Sequence, residues 1–256
     1  MTEKKGNNKN KKGIYTILML ICAIVFFFAL YKVVDILVEY KTIDNFYDDT
    51  RGAYIEEDSK GHISDVLLSS LISANDDIKG WIYIEGTDIS YPVLQGPDND
   101  YYLFRAYNKQ YLVAGSIFME SLNNPDFTDD HTVIFGHNMH NGSMFGQLDK
   151  FFDEEYMKEH SGIFIKLPDG TWNRYEIFGA YTADIDDGTF TIFTENSSEY
   201  DKYLSLIAEK NVYKDIDPPS GGERILTLST CTEDSDDYRR NVIQARFVEN
   251  TEKINK

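Results

Sequence analysis

From Gly80 onward the sequence is cut into short runs of β-branched and aromatic residues separated by turn formers, and this limits the chain to a mainly β body. GWIYIEGTDISYPVLQG alternates Trp81 and Tyr83 with Ile82 and Ile84, turns at Glu85-Gly86-Thr87-Asp88 and resumes from Ile89 to Leu94. LVAGSIFME, HTVIFGH, IFIKL, TWNRYEIFGAYTA, ERILTLSTC and NVIQARFVE read as further strands. Helical patterns are confined to a segment with Val66, Leu67, Leu71 and Ile72 on one face, to GQLDKFFDEEYMKEH, and to SEYDKYLSLIAEKN before the cysteine strand. Many short strands with few helices predict a closed or nearly closed β-barrel. The 18 tyrosines and 16 phenylalanines suit such a sheet-rich core.

The N-terminal part obeys different rules. MTEKKGNNKNKK carries five lysines against one glutamate, and GIYTILMLICAIVFFFALY, residues 13–31, carries no charge. At about 1.5 Å per residue that run spans roughly 27 Å as a helix, enough for a bilayer core, and Val33 to Val38 extend it. A cleaved signal peptide has the same order of regions, but no small-x-small cleavage site follows the run. The expected organisation is a cytoplasmic basic tail (1–12), a single-pass signal-anchor (13–38), a stalk (39–64) and a catalytic domain (65–250). The lysine block predicts a cytoplasmic N-terminus and an extracellular domain. A formal net charge of −18 argues against a nucleic-acid partner.

Two cysteines are present, Cys22 and Cys231. Cys22 lies inside the apolar run and cannot meet Cys231 in an outer domain, so no intrachain disulfide is expected. Extracytoplasmic cysteines are usually paired; a lone one is buried filler or a working nucleophile. A thiol nucleophile needs a base or a positive field, and a donor for the oxyanion it creates. His137 is placed to be the base, at the end of the strand HTVIFGH and before the Asn- and Gly-rich loop NMHNGS, although a satisfied loop histidine is the default for such a position. His140 lies deeper in that loop. Arg239 and Arg240 open the run after Cys231, and alternation along a strand lets only one of them face the thiol; a salt-bridged loop edge is the alternative for the pair.

Together TLSTC, GHNM and the arginine-led last strand resemble the sortases, and GWIYIEGTDISYPVLQG, DNDYYLFRAYN, GSIFME and VIFGHNMHNGSMFGQL resemble class B sortases in particular, over about residues 65–248. The resemblance implies an eight-stranded sortase-type barrel with an N-terminal helix and a helix before the last strands. It implies a cysteine transpeptidase at the Gram-positive cell membrane. Cys231 would attack the carbonyl after Thr in a C-terminal sorting signal, giving a thioester acyl-enzyme that a peptidoglycan amine resolves. His137 matches the general acid/base, and Arg240, chosen over Arg239 by aligning RNVIQARF, matches the residue that holds substrate and oxyanion. Ser229, Asn99 and Leu103 resemble substrate-contacting positions. No carboxylate is assignable as a third catalytic member, Glu233 and Asp234 being the candidates. The implied partners are sorting-signal peptides of NPxTx or LPxTG-like kind and a peptidoglycan precursor or cross-bridge amine. No EF-hand spacing appears, so no metal and no cofactor are expected. A thiol protease using the same acyl-enzyme, and a membrane-tethered binding domain with an inert thiol, are the alternative functions.

Overall fold

The computed structural model describes residues 8–59, 62–193, 198–231 and 238–254. The chain divides into two compact units between Phe46 and Tyr47. The first is the body of helix α1 (Asn8–Tyr54), whose side chains from Ile14 to Val38 are mostly exposed and apolar. By length and composition it is able to cross a membrane.

The second unit begins with the last turns of α1, followed by β1 (Ile55–Glu57), β2 (Ile63–Val66) and α2 (Leu68–Ala74). β1 and β2 pair antiparallel, with Ile55 opposite Val66. The segment 39–64, expected as a stalk, is therefore helical to Tyr54 and then enters a two-stranded sheet. From Tyr47 on it belongs to the compact domain, because the buried Tyr47 ring packs edge-on against Tyr91 at 5.1 Å. The helical face expected from Val66 to Ile72 starts later: Val66 ends β2, and Leu68 and Leu71 of α2 are the residues buried against Ile78, Trp81 and Trp172.

Eight strands close the barrel: β3 (Ile78–Ile84), β4 (Ser90–Leu94), β5 (Ile117–Met119), β6 (His131–Phe135), β7 (Gly162–Lys166), β8 (Trp172–Asp184), β9 (Ile225–Cys231) and β10 (Arg239–Thr251). Their order around the barrel is β10-β8-β7-β3-β4-β5-β6-β9, returning to β10. The β4–β5 and β6–β9 pairs are parallel and the rest antiparallel. Each strand of the sequence reading is present, and closure leaves the barrel itself without a free edge.

Trp81, Trp172, Tyr175 and Phe178 are fully buried. Burying a large apolar side chain of this kind stabilises a fold by roughly 1.5–3 kcal/mol. Helix α3 (Glu154–Glu159) follows a 3-10 turn (Leu148–Phe152), and Asp153 caps it by accepting from the Glu155 and Tyr156 amides. Helix α4 (Ser198–Lys210) has acids in its first turn and Lys210 in its last, the arrangement its dipole favours. Its buried face of Tyr200, Tyr203, Leu204 and Ile207 covers Phe178 and Tyr181 of β8 and Val242 of β10. The acidic connection 232–237, with Glu233 and Asp234, lies outside the described residues.

Candidate active site

The site is built where β6, β9 and β10 lie side by side. β6 and β9 run parallel with Phe135 opposite Ser229, and the Gly136 amide donates to the Ser229 carbonyl at 3.1 Å. Continuing that register carries the chain from Gly136 to His137 on one strand and from Thr230 to Cys231 on the other. On the opposite flank β9 and β10 run antiparallel, and Cys231 is the direct partner of Arg240. The cysteine at the end of β9 is thus flanked by the histidine loop and by the start of β10.

His137 is held by groups far away in sequence. Its Nε2 lies 2.7 Å from the Leu103 carbonyl oxygen. A carbonyl only accepts, so Nε2 carries the proton and Nδ1 is the basic nitrogen of the neutral ring. Burial pushes the His137 pKa below its ordinary value; the bond to Leu103 opposes this and the Arg240 charge adds to it. The Phe104 ring lies over His137, with centroids 5.5 Å apart. The loop after the histidine closes on itself, since the Phe145 amide donates to the His137 carbonyl at 3.0 Å and Asn138 bridges to Met144.

Leu103 reaches the histidine because the connection after β4 is folded tightly. Asp98 accepts from the Asp100 and Tyr101 amides in an Asx turn. The buried Tyr102 hydroxyl donates to Asp77 at 2.6 Å and accepts from Asn75 at 2.9 Å. Asn99 is also fixed: its amide nitrogen donates to Glu120, and its oxygen accepts from the Ser121 amide at 2.9 Å.

A cleft of about 300 Å³ joins these parts, and Asn99, Leu103, His137, Ser229 and Arg240 all line it. Arg239 is exposed, is not among the lining residues and stands across from Asp184 in the β10–β8 register. The Ser229 and Thr230 hydroxyls are buried with no hydrogen-bond partner among the described residues. Histidine, arginine and unspent hydroxyls in one mainly apolar cleft suit an extended peptide whose carbonyl is to be attacked. Among the described residues no three His, Cys, Asp or Glu side chains converge as a cation site.

A family model described as the sortase domain matches residues 82–248, a stretch that takes in β4 to β9 whole and both flanks of the cleft. The chain belongs to the sortase family. Sortase B of Listeria monocytogenes serovar 1/2a (strain ATCC BAA-679 / EGD-e) is 35% identical over 231 residues, covering 88% of this chain and 92% of the relative. The crystal structure of sortase B from B. anthracis in complex with AAEK1 superposes with a TM-score of 0.69 at 33% identity, covering 83% of this chain and 99% of that one. A Staphylococcus aureus sortase B-substrate complex gives 0.65 at 30% identity, covering 72% and 85%. This sortase is accordingly of class B, a cysteine transpeptidase of cell-wall sorting.

Several parts of the sortase cleft had no signal in the sequence. Ile185 and Phe190, on its wall, come from IDDGTF, the segment directly after β8, which carries no strand or helix periodicity. The Leu103 carbonyl is a backbone atom, so no residue type announces it. His131, which opens the strand leading to His137, is fully buried: Nδ1 donates to the Thr191 carbonyl at 2.6 Å, and Nε2 faces the Thr227 and Tyr203 hydroxyls at 2.7 and 2.9 Å. Without exposure to charge-stabilising water, its pKa falls to about 4.

Proposed function

We propose that this sortase cleaves a C-terminal sorting signal after threonine and joins the upstream part to a peptidoglycan amine through a thioester on Cys231. The Cys231 sulfur attacks the threonine carbonyl carbon. The C–N bond then breaks, and the leaving amine takes a proton from the histidine–cysteine pair through His137. An incoming amine attacks the thioester carbon, gives its proton to His137, and expels the thiolate. Arg240 supplies the positive field for the oxyanion in both steps, and its charge also favours the thiolate. Ser229, Asn99 and Leu103 contact the peptide.

The observation that carries this reading is the shared cleft: His137, Arg240, Ser229, Asn99 and Leu103 line one cavity at the end of the strand that Cys231 terminates. The apolar segment of α1 supports a membrane anchor over residues 13–38, and the lysines before it support a cytoplasmic N-terminus with the barrel outside. Incubating the full chain with NPxTx and LPxTG-like peptides should trap an acyl-enzyme, read by intact mass, that Cys231→Ala lacks. Adding triglycine or another amine should convert that adduct to a transfer product. Hydrolysis alone under every acceptor tried would favour a thiol protease, and no adduct with either peptide would sink the reading.

A further inference from the structure

The last turns of α1 reach the histidine from two sides. On the first side, the Tyr47 hydroxyl donates to the Gly115 carbonyl. Gly115 has φ +55° and sits so close to the preceding loop that a Cβ there would lie 2.2 Å from the Leu103 carbonyl oxygen. That oxygen is the one holding His137 Nε2. On the second side, Tyr47 packs edge-on against Tyr91, and the Arg51 guanidinium lies 5.4 Å from the centre of the same ring. The Tyr91 hydroxyl accepts from the Met144 amide at 2.9 Å. Met144 is buried at φ +54°, a backbone conformation that a side chain disfavours, inside the loop that closes on the His137 carbonyl.

We propose that Tyr91, backed by Tyr47 and Arg51, is a positioning residue for His137. The Tyr91 bond holds Met144 in its left-handed conformation and so fixes the loop that follows the histidine. The Tyr47 bond holds the strand entry that packs beneath the histidine's own acceptor. The end of α1 is on this account a working part of the catalytic apparatus and more than a spacer between membrane and barrel. The inference rests on His137 being the acid/base group.

The test uses the full chain carrying Tyr91→Phe or Tyr47→Phe, with Tyr213→Phe as a matched control. The Tyr213 hydroxyl is buried without a hydrogen-bond partner among the described residues, so removing it breaks no bond. Tyr91→Phe should lower kcat for peptide transfer about tenfold with KM within about twofold, since a small misplacement of a reacting group acts on the chemical step. The His137 ring resonances should shift in the same variant and stay in place in Tyr213→Phe. Arg51→Met, which leaves the hydroxyl but removes the cation over the ring, should give the same signature at smaller size. Unchanged kcat and unchanged His137 resonances in folded Tyr91→Phe would overturn the proposal, whatever happens to Tm. His137→Ala in parallel separates the two ideas: if it keeps activity the acid/base reading fails, whereas its inactivity beside a fully active Tyr91→Phe removes only the positioning role.

Discussion

Arg240 stands directly across from Cys231 of β9 and from Ala183 of β8, and Arg239, one residue earlier, stands across from Asp184 of β8. Adjacent arginines in one strand face opposite ways, so the register that seats Cys231 also decides which guanidinium borders the cleft.

This asymmetry predicts unequal variants. Arg240→Ala should reduce kcat/KM by about 10²–10³-fold, the usual cost of losing one oxyanion donor. Arg239→Ala should stay within about twofold, as expected of an exposed charge outside the cleft. Steady-state kinetics of both with one peptide and one amine would check this, and equal losses would count against the assignment.

His137 should titrate below the ordinary histidine range, because burial and the Arg240 charge both disfavour the imidazolium. Removing the cation relieves one of these, so Arg240→Ala should raise the ring pKa toward its ordinary value of about 6.5. NMR titration of the ring protons in wild type and variant measures the direction. A fall in Arg240→Ala would contradict the geometry.

Ser229 is fully buried, and its hydroxyl has no partner among the described residues. Leaving such a group unbonded costs about 1–3 kcal/mol in the free enzyme. Ser229→Ala should therefore stabilise the domain by about 1 kcal/mol while raising KM for the peptide that would otherwise use the hydroxyl. Thermal denaturation and peptide kinetics on the same preparation test the trade; lower Tm with unchanged KM would refute it.

His131 gives the fold a pH dependence of definite sign. Its folded pKa is about 4, against 6.5 for an unperturbed ring. Stability from the neutral ring is fully present above about pH 6.5 and is lost as pH falls from there toward 4, because the unfolded chain takes up the proton first. The total is about 3 kcal/mol at 1.36 kcal/mol per pKa unit. Urea unfolding of wild type and His131→Gln at several pH values isolates this part from the carboxylates. Parallel curves for the two proteins would rule it out.

The barrel strands were legible because each carries its own signal: alternating or continuous apolar runs bounded by Gly, Asn and Asp. The helix before the cysteine strand was legible through Tyr200, Tyr203 and Ile207, which recur at helical spacing. The stem was not, since residues 39–64 are polar and of mixed charge, and their docking depends on Tyr47 meeting Tyr91, which lies in a strand that reads only as core.

The amino-acid sequence by itself determined the β-rich body, the apolar N-terminal helix, a single cysteine outside that helix at Cys231, and the return of an arginine-led strand beside it. All of these follow from residue type and short-range periodicity. Only the tertiary structure decided that His137 comes level with Cys231, because the β6–β9 pairing is parallel and joins segments far apart in the chain. It likewise decided that the Leu103 carbonyl holds the histidine, that Ile185 and Phe190 wall the cleft, and that Tyr91 grips Met144. These are long-range contacts, several made through backbone atoms, and neither kind leaves a local trace in the order of side chains.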